Sequence, residues 1–182
     1  MPEQKKAADT DACIKYDQLT LSDPDLLTAA GALIKQIRPG RLLDAGMLLL
    51  RFGALSRHFN NLDIDDGISI TGIDIWKPDI PVYGRIYDRI CQISDFSDNV
   101  FFDADKNVRQ RYDLAVMLGT GDIRYDSRYD ILCRIVITHS DMILTDDEGL
   151  AAHPAALLQD IAVSEFEINA KRMYIYLPGQ RL

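Results

Sequence analysis

The chain has 182 residues, 47% of them hydrophobic and 26% charged, which suits one globular domain with a full core and excludes a disordered or disulfide-stapled chain. With 28 acidic against 20 basic residues, the formal charge of -8 disfavours nucleic acid as a partner, because no dense Lys/Arg run offsets it. No apolar run approaches the ~20 residues that cross a bilayer, so no membrane association is expected.

Residues 1–12 are polar and lack the apolar core of a signal peptide. They read as a mobile tail before a single domain over 13–182, with cytoplasmic residence as the expectation. The cysteines Cys13, Cys91 and Cys133 are far apart and odd in number. They match neither a disulfide framework nor a paired zinc spacing, so buried free thiols are expected.

From Pro24 to Ile37, Leu26, Leu27, Ala30, Leu33, Ile34 and Ile37 recur at helical spacing, and Pro39-Gly40 ends the run. Arg41 to Ala45 then predicts a short buried strand ending in Asp44-Ala45-Gly46. Leu48 to Phe59 is apolar and long enough for a helix. Ile68 to Ile75 predicts a second strand ending on Asp74, and Ile90 to Ser94 a third ending at Asp95-Phe96. Tyr112 to Leu118 predicts a fourth strand, followed by Gly119-Thr120-Gly121-Asp122. Ser127 to Thr138 has helical periodicity, Met142 to Thr145 predicts a fifth strand, and Pro154 to Ile161 a helix. Ser164 to Ile168 and Met173 to Leu177 are close enough to form an antiparallel hairpin. The sum is an α/β domain, a mostly parallel sheet flanked by helices that closes on an antiparallel hairpin.

Open sheets of this kind bind ligands beyond the carboxyl ends of their strands. The candidate groups are therefore Asp44 and Gly46 after the first strand, Asp74 after the second, Asp95 after the third and Gly119 to Asp122 after the fourth. A carboxylate closing the second strand can accept hydrogen bonds from both hydroxyls of an adenosine ribose. An exposed helix-capping aspartate is an equally good reading of the same residue.

Leu42-Leu43-Asp44-Ala45-Gly46 resembles the opening of the glycine-rich motif of class I S-adenosylmethionine-dependent methyltransferases. Asp74 is similar to the acidic residue that holds the ribose in that family, and Asp95-Phe96 to the acidic-apolar pair beside the adenine. Tyr112 to Met117 looks like the family's fourth strand, and the closing hairpin like its sixth and seventh. The resemblance implies a Rossmann-like class I methyltransferase fold. It also implies S-adenosylmethionine as cofactor, bound by Asp44, Gly46, Asp74, Asp95 and Phe96. Within the superfamily the nearest look is to the FtsJ-type ribose 2′-O-methyltransferases. That look rests on Pro39-Gly40, on the Pro-rich passage Asp74 to Pro81, and on the ending Met173 to Gly179.

The chain also departs from the pattern. Leu48 and Leu50 stand where later glycines of the cofactor loop would fall, and branched side chains there disfavour a close approach. Of the Lys-Asp-Lys-Glu tetrad of the FtsJ type, Lys15 can stand for the first lysine. The other three roles fall near Leu118 or Gly119, near Thr145, and near Arg172. Asp122, His139 and Tyr125 are placed near one sheet edge as other candidates for a base. His58 and His153 are scattered, and no metal is implied. Asp103 to Asn107 and Asp63 to Gly67 resemble calcium loops but lack the required glycine or glutamate positions. Two functions follow from these residues. One is a methyltransferase-fold protein without catalysis, acting as scaffold or binding protein with a protein partner. The other is an active methyltransferase with an atypical loop. A dinucleotide oxidoreductase is disfavoured by the missing G-x-G-x-x-G. The oligomeric state stays open.

Overall fold

The computed structural model describes residues 24–46, 67–74, 88–92, 111–120, 127–168 and 170–179. The described elements are α1 (Pro24–Ile37), β1 (Arg41–Ala45), β2 (Ser69–Asp74), β3 (Arg89–Gln92), β4 (Leu114–Met117), α2 (Ser127–His139) and β5 (Ile143–Thr145). A 3-10 helix (Glu148–Ala152) follows, then α3 (Pro154–Leu157), β6 (Ile161–Ile168) and β7 (Lys171–Pro178).

The strands form one seven-stranded sheet in the order β3-β2-β1-β4-β5-β7-β6. The pairs β1–β2, β1–β4, β2–β3 and β4–β5 are parallel, whereas β7 runs antiparallel to both β5 and β6. This is the Rossmann-like class I methyltransferase arrangement expected from the residues, with the closing hairpin folded back so that β7 fills the place beside β5.

Parallel strands covered on both faces should be continuously apolar, and β4 is, while β1 is apart from Asp44 within its buried stretch: Leu42, Leu43, Ala45 and Leu114 to Met117 are all fully buried. Successive side chains point to opposite faces. Leu42, Ile70, Leu114, Val116, Leu144 and Met173 therefore pack on one face with Ala30 and Ile34 of α1. Leu43, Ala45, Ile73, Ala115, Met117, Ile143 and Tyr176 pack on the other with Leu132, Val136 and Ile137 of α2. Burying each such side chain stabilises by roughly 1.5–3 kcal/mol.

The amino ends of the strands are stitched by carboxylates. One oxygen of Asp113 accepts the Gly40 and Arg41 N–H groups at 2.7 and 3.0 Å, and Asp88 accepts the Ile70 N–H at 2.8 Å. Helix α1 ends on Arg38 at φ 52, whose N–H bonds the Ile34 carbonyl at 2.8 Å. That is a left-handed helix cap of the kind glycine favours.

Two expectations change in the C-terminal part. The helix expected over Pro154 to Ile161 is a single turn, Pro154–Leu157, and β6 begins already at Ile161. Leu157 and Leu158 are 72% and 88% exposed, so the apolar residues that suggested a longer helix have no core to face. The hairpin strands are longer than their apolar parts, because β6 is an edge strand whose Val163, Ser164, Glu165 and Glu167 are exposed. The tail over 1–12, the expected helix Leu48 to Phe59 and both calcium-like loops, except Gly67, lie outside the described residues. Cys91 and Cys133 are buried, as expected.

Candidate functional site

The carboxyl ends of β1 and β2 bring three of the expected residues together. Ala45 stands level with Ile73, so Gly46 and Asp74 each lie one residue beyond the last matched pair. The Gly46 N–H donates to the Ile73 carbonyl at 2.8 Å, and Gly46 has φ 85, where a side chain would be strained. Asp44 follows Leu42 by two residues and Asp74 follows Ile70 by four. By alternation both carboxylates therefore lie on the face covered by α1. Both are buried, at 0% and 4% exposure.

A different set of contacts closes the β4 and β5 ends. Gly119, at φ 64, donates its N–H to both oxygens of the Asp146 carboxylate, at 3.0 and 3.2 Å. Asp147 is 3% exposed and caps the 3-10 helix by accepting the Gly149 N–H at 2.8 Å. Its own N–H donates to the Thr145 hydroxyl at 3.0 Å, and the Tyr129 hydroxyl donates to its other carboxylate oxygen. The Tyr176 hydroxyl reaches the Asp147 carbonyl at 3.2 Å. Burial raises the Tyr129 phenol, and the adjoining Cys133 and Asp147 add to that. Burial, and then the Asp147 carboxylate, push Tyr176 up to about 12. Both phenols are therefore neutral donors at physiological pH.

The positions expected to hold the rest of the tetrad carry structural roles. Leu118 is 1% exposed, Gly119 is clasped by Asp146, and the Thr145 hydroxyl is taken by the Asp147 N–H. The Arg172 side chain is 68% exposed and lies 3.6 Å from Glu165.

His139 is not brought to this edge. It is the last residue of α2, is 2% exposed, and its carbonyl accepts the Tyr112 N–H at 2.8 Å. Tyr112 precedes β4, so His139 sits at the amino edge. At ~3.3 Å per residue, the five steps from Tyr112 to Met117 separate the two edges by roughly 16 Å. The shared edge expected for His139 is thus corrected, because the chain turns into β5 directly after the helix. His153 instead caps α3: its Nδ1 accepts the Ala155 N–H at 3.1 Å, which leaves Nε2 to donate to Asp130 at 2.9 Å. Lys15, Leu48, Leu50, Asp95, Phe96, Asp122 and Tyr125 lie outside the described residues. Among the described residues no group of His, Cys, Asp and Glu could hold a metal ion, and no helix is long and apolar enough to cross a membrane.

Sequence reasoning missed Asp146 and Asp147. A signal for Asp147 was present: Asp147-Glu148-Gly149 is an aspartate two residues before a glycine, the pattern of a side chain folding back on its own backbone. Asp146 carries no local signal.

No protein-family model matches the chain, and no curated protein matches it. Solved structures do match. A protein assigned as a caffeoyl-CoA O-methyltransferase from Staphylococcus aureus superposes with a TM-score of 0.50 at 14% identity, over 86% of this chain and 84% of the other. A methyltransferase from Pyrococcus furiosus is similar over 84% and 82% at 9% identity and a TM-score of 0.44. TehB from Haemophilus influenzae is similar over 87% and 62% at 14% identity and a TM-score of 0.45. At such identities the first of these establishes the fold: the chain has the class I methyltransferase fold.

Proposed function

We propose that this chain is a methyltransferase-fold protein with a binding role. It holds the adenosyl end of S-adenosylmethionine, or of its demethylated product, at the carboxyl ends of β1 and β2. It does not carry out ribose methylation of the FtsJ type. The observation behind this reading is the pair of buried aspartates, Asp44 and Asp74, on one face of adjoining strands beside Gly46. Burying a carboxylate is costly, and such groups are retained where they serve a site. The residues present fit the nucleoside end of the cofactor. Asp74 accepts from the ribose hydroxyls, and Gly46 lets the backbone approach. When bound, S-adenosylmethionine supplies an activated methyl group. The acids and lysine that would direct that group to a ribose are replaced at Leu118, Gly119, Thr145 and Arg172, each of which has packing, a backbone contact or solvent for company.

Titration calorimetry with S-adenosylmethionine and S-adenosylhomocysteine tests the reading, together with transfer of a labelled methyl group to RNA. Binding to the wild type, weakened by Asp74→Asn, with no transfer to RNA is the expected result. Undetectable binding at millimolar ligand would overturn it. The left-handed Gly46 also favours a second reading, an active enzyme with an atypical loop. Labelled methyl transfer to any acceptor would establish that one instead.

A further inference from the structure

Strand β6 is the end strand of the sheet among the described residues, and its outer edge is long and regular. It pairs with β7 in unbroken register from Ile161 opposite Pro178 to Ile168 opposite Lys171, so it carries no bulge, and it contains neither proline nor lysine. Those are the usual guards of a sheet edge. At the other end of the sheet, β3 has four residues and opens on the exposed Arg89.

The backbone decides which residues of β6 look outward. The Gly179 N–H donates to the Asp160 carbonyl at 2.9 Å, at the start of the ladder. Antiparallel pairs alternate between bonded and non-bonded. Ala162, Ser164, Phe166 and Ile168 therefore turn their N–H and C=O groups to β7, whereas Val163, Glu165 and Glu167 present theirs at the outer edge. By alternation the side chains of these three share the face covered by α2, in line with Ile161, which packs on the core there. All three are exposed. Leu157 and Leu158, also exposed, come just before the strand on that side, where Ala156 enters the same core.

The edge is thus apolar at its start and acidic toward its end. Arg172 stands opposite Glu167 and 3.6 Å from Glu165, so one exposed guanidinium faces two carboxylates across the ladder. The charge selects what can pair. A second copy, paired about a two-fold axis through this half of β6, would set the glutamates against their own counterparts, and like charges placed opposite destabilise a sheet. A strand with cations at those places gains instead.

We propose that the outer edge of β6 takes up an extended segment of a partner protein as an eighth strand. The segment carries two Lys or Arg residues two positions apart, facing Glu165 and Glu167, and an apolar residue two positions further on, against Val163. Main-chain hydrogen bonds supply the affinity and the side chains supply the choice. This edge lies at the end of the sheet remote from β1 and β2, so its occupancy does not depend on the nucleoside reading.

The test is fluorescence anisotropy with short labelled peptides, made in both chain directions. One alternates threonine with two valines and then two lysines, and its counterpart carries glutamates in place of the lysines. The lysine peptide is expected to bind the full chain about tenfold more tightly, the effect of exchanging two repelling pairs for two attracting ones. Glu165→Lys combined with Glu167→Lys reverses that preference. Val163→Pro weakens binding of the lysine peptide, because it removes an outward N–H and leaves the bonds to β7 in place. Amide exchange at Val163, Glu165 and Glu167 is rapid in the free chain and slowed by the lysine peptide. Equal affinity for the two peptides, no binding of either at millimolar concentration, or an unreversed preference in the double variant overturns the proposal. A Val163→Pro protein that binds as wild type does the same, since charge alone would then attract the peptide. If that variant does not fold, the double variant and the amide exchange still decide. Outward amides already protected in the free chain also overturn it, because the chain would then cover its own edge. Self-association of the wild type that Val163→Pro abolishes would give the edge to a second copy, and overturns it too.

Discussion

Both edges of the parallel sheet are furnished with aspartates, and the two sets live in opposite surroundings. At the amino edge Asp88 and Asp113 are exposed and accept backbone N–H groups that start β2 and β1. At the carboxyl edge Asp44 and Asp74 are buried within the end of the core. An exposed carboxylate on a strand end is an inexpensive stitch, because water still solvates its free oxygen. A buried one carries a desolvation cost that packing alone does not offset. Residue type and strand position are alike in the two places, so burial separates a fastening from a candidate site.

The contrast is open to four tests. The largest effect is expected from exchanging one aspartate at each edge. Asp74→Asn should weaken S-adenosylhomocysteine binding by about a hundredfold, as loss of a paired charge-assisted contact does. Asp113→Asn should leave that affinity unchanged. Calorimetry on the two variants decides it, and equal effects would erase the distinction between the edges. Next, Asp113→Ala leaves the Gly40 and Arg41 N–H groups without their shared acceptor. A loss of about 1 kcal/mol in urea denaturation is expected, small because water can replace the carboxylate.

A third test concerns pH. The Tyr176 phenol is raised in the folded protein, from 10.0 to about 12. Its contribution to stability is complete below pH ~10 and is lost as pH climbs from there to about 12, because the unfolded chain releases the proton first. Melting temperature measured across that window should fall less steeply in Tyr176→Phe than in wild type, and parallel curves would refute the role of Asp147 and burial there. The smallest effect is expected at the end of α1. Arg38 occupies φ 52 with its side chain exposed, so Arg38→Gly should raise stability by about 0.5–1 kcal/mol. An unchanged urea midpoint would show that the cap is not strained.

Where the chain announces its structure, it does so through stop signals and two-sided burial. Pro39-Gly40 closes α1 and the buried run Leu42 to Ala45 starts at once, so β1 lies where expected. Strand β6 is only half legible, since an edge strand needs apolar residues on one face alone and Glu165 and Glu167 mask its extent. The 3-10 helix at Glu148 was not expected because one side chain, that of Asp147, sets it up by capping. The positions of Asp44, Gly46 and Asp74 at the carboxyl ends of β1 and β2 were legible in the sequence. His139 was misplaced because a helix that leads into a parallel strand ends at that strand's amino edge, opposite the edge where β4 finishes. The Asp146–Gly119 clasp joins residues 27 positions apart and leaves no local trace.

The position of the closing hairpin also bears on how the chain is made. β6 and β7 pair locally, with Ile168 opposite Lys171 across a two-residue link, and hairpins of this kind close in about 1–10 μs. The centre of the sheet instead joins residues as remote as Arg41 and Asp113, 72 positions apart, and such pairings are slow. The quickest-forming element is therefore made after the slow-pairing centre of the sheet. Until β7 is made the open side of β5 stands uncovered, and the eight residues of that strand seal it.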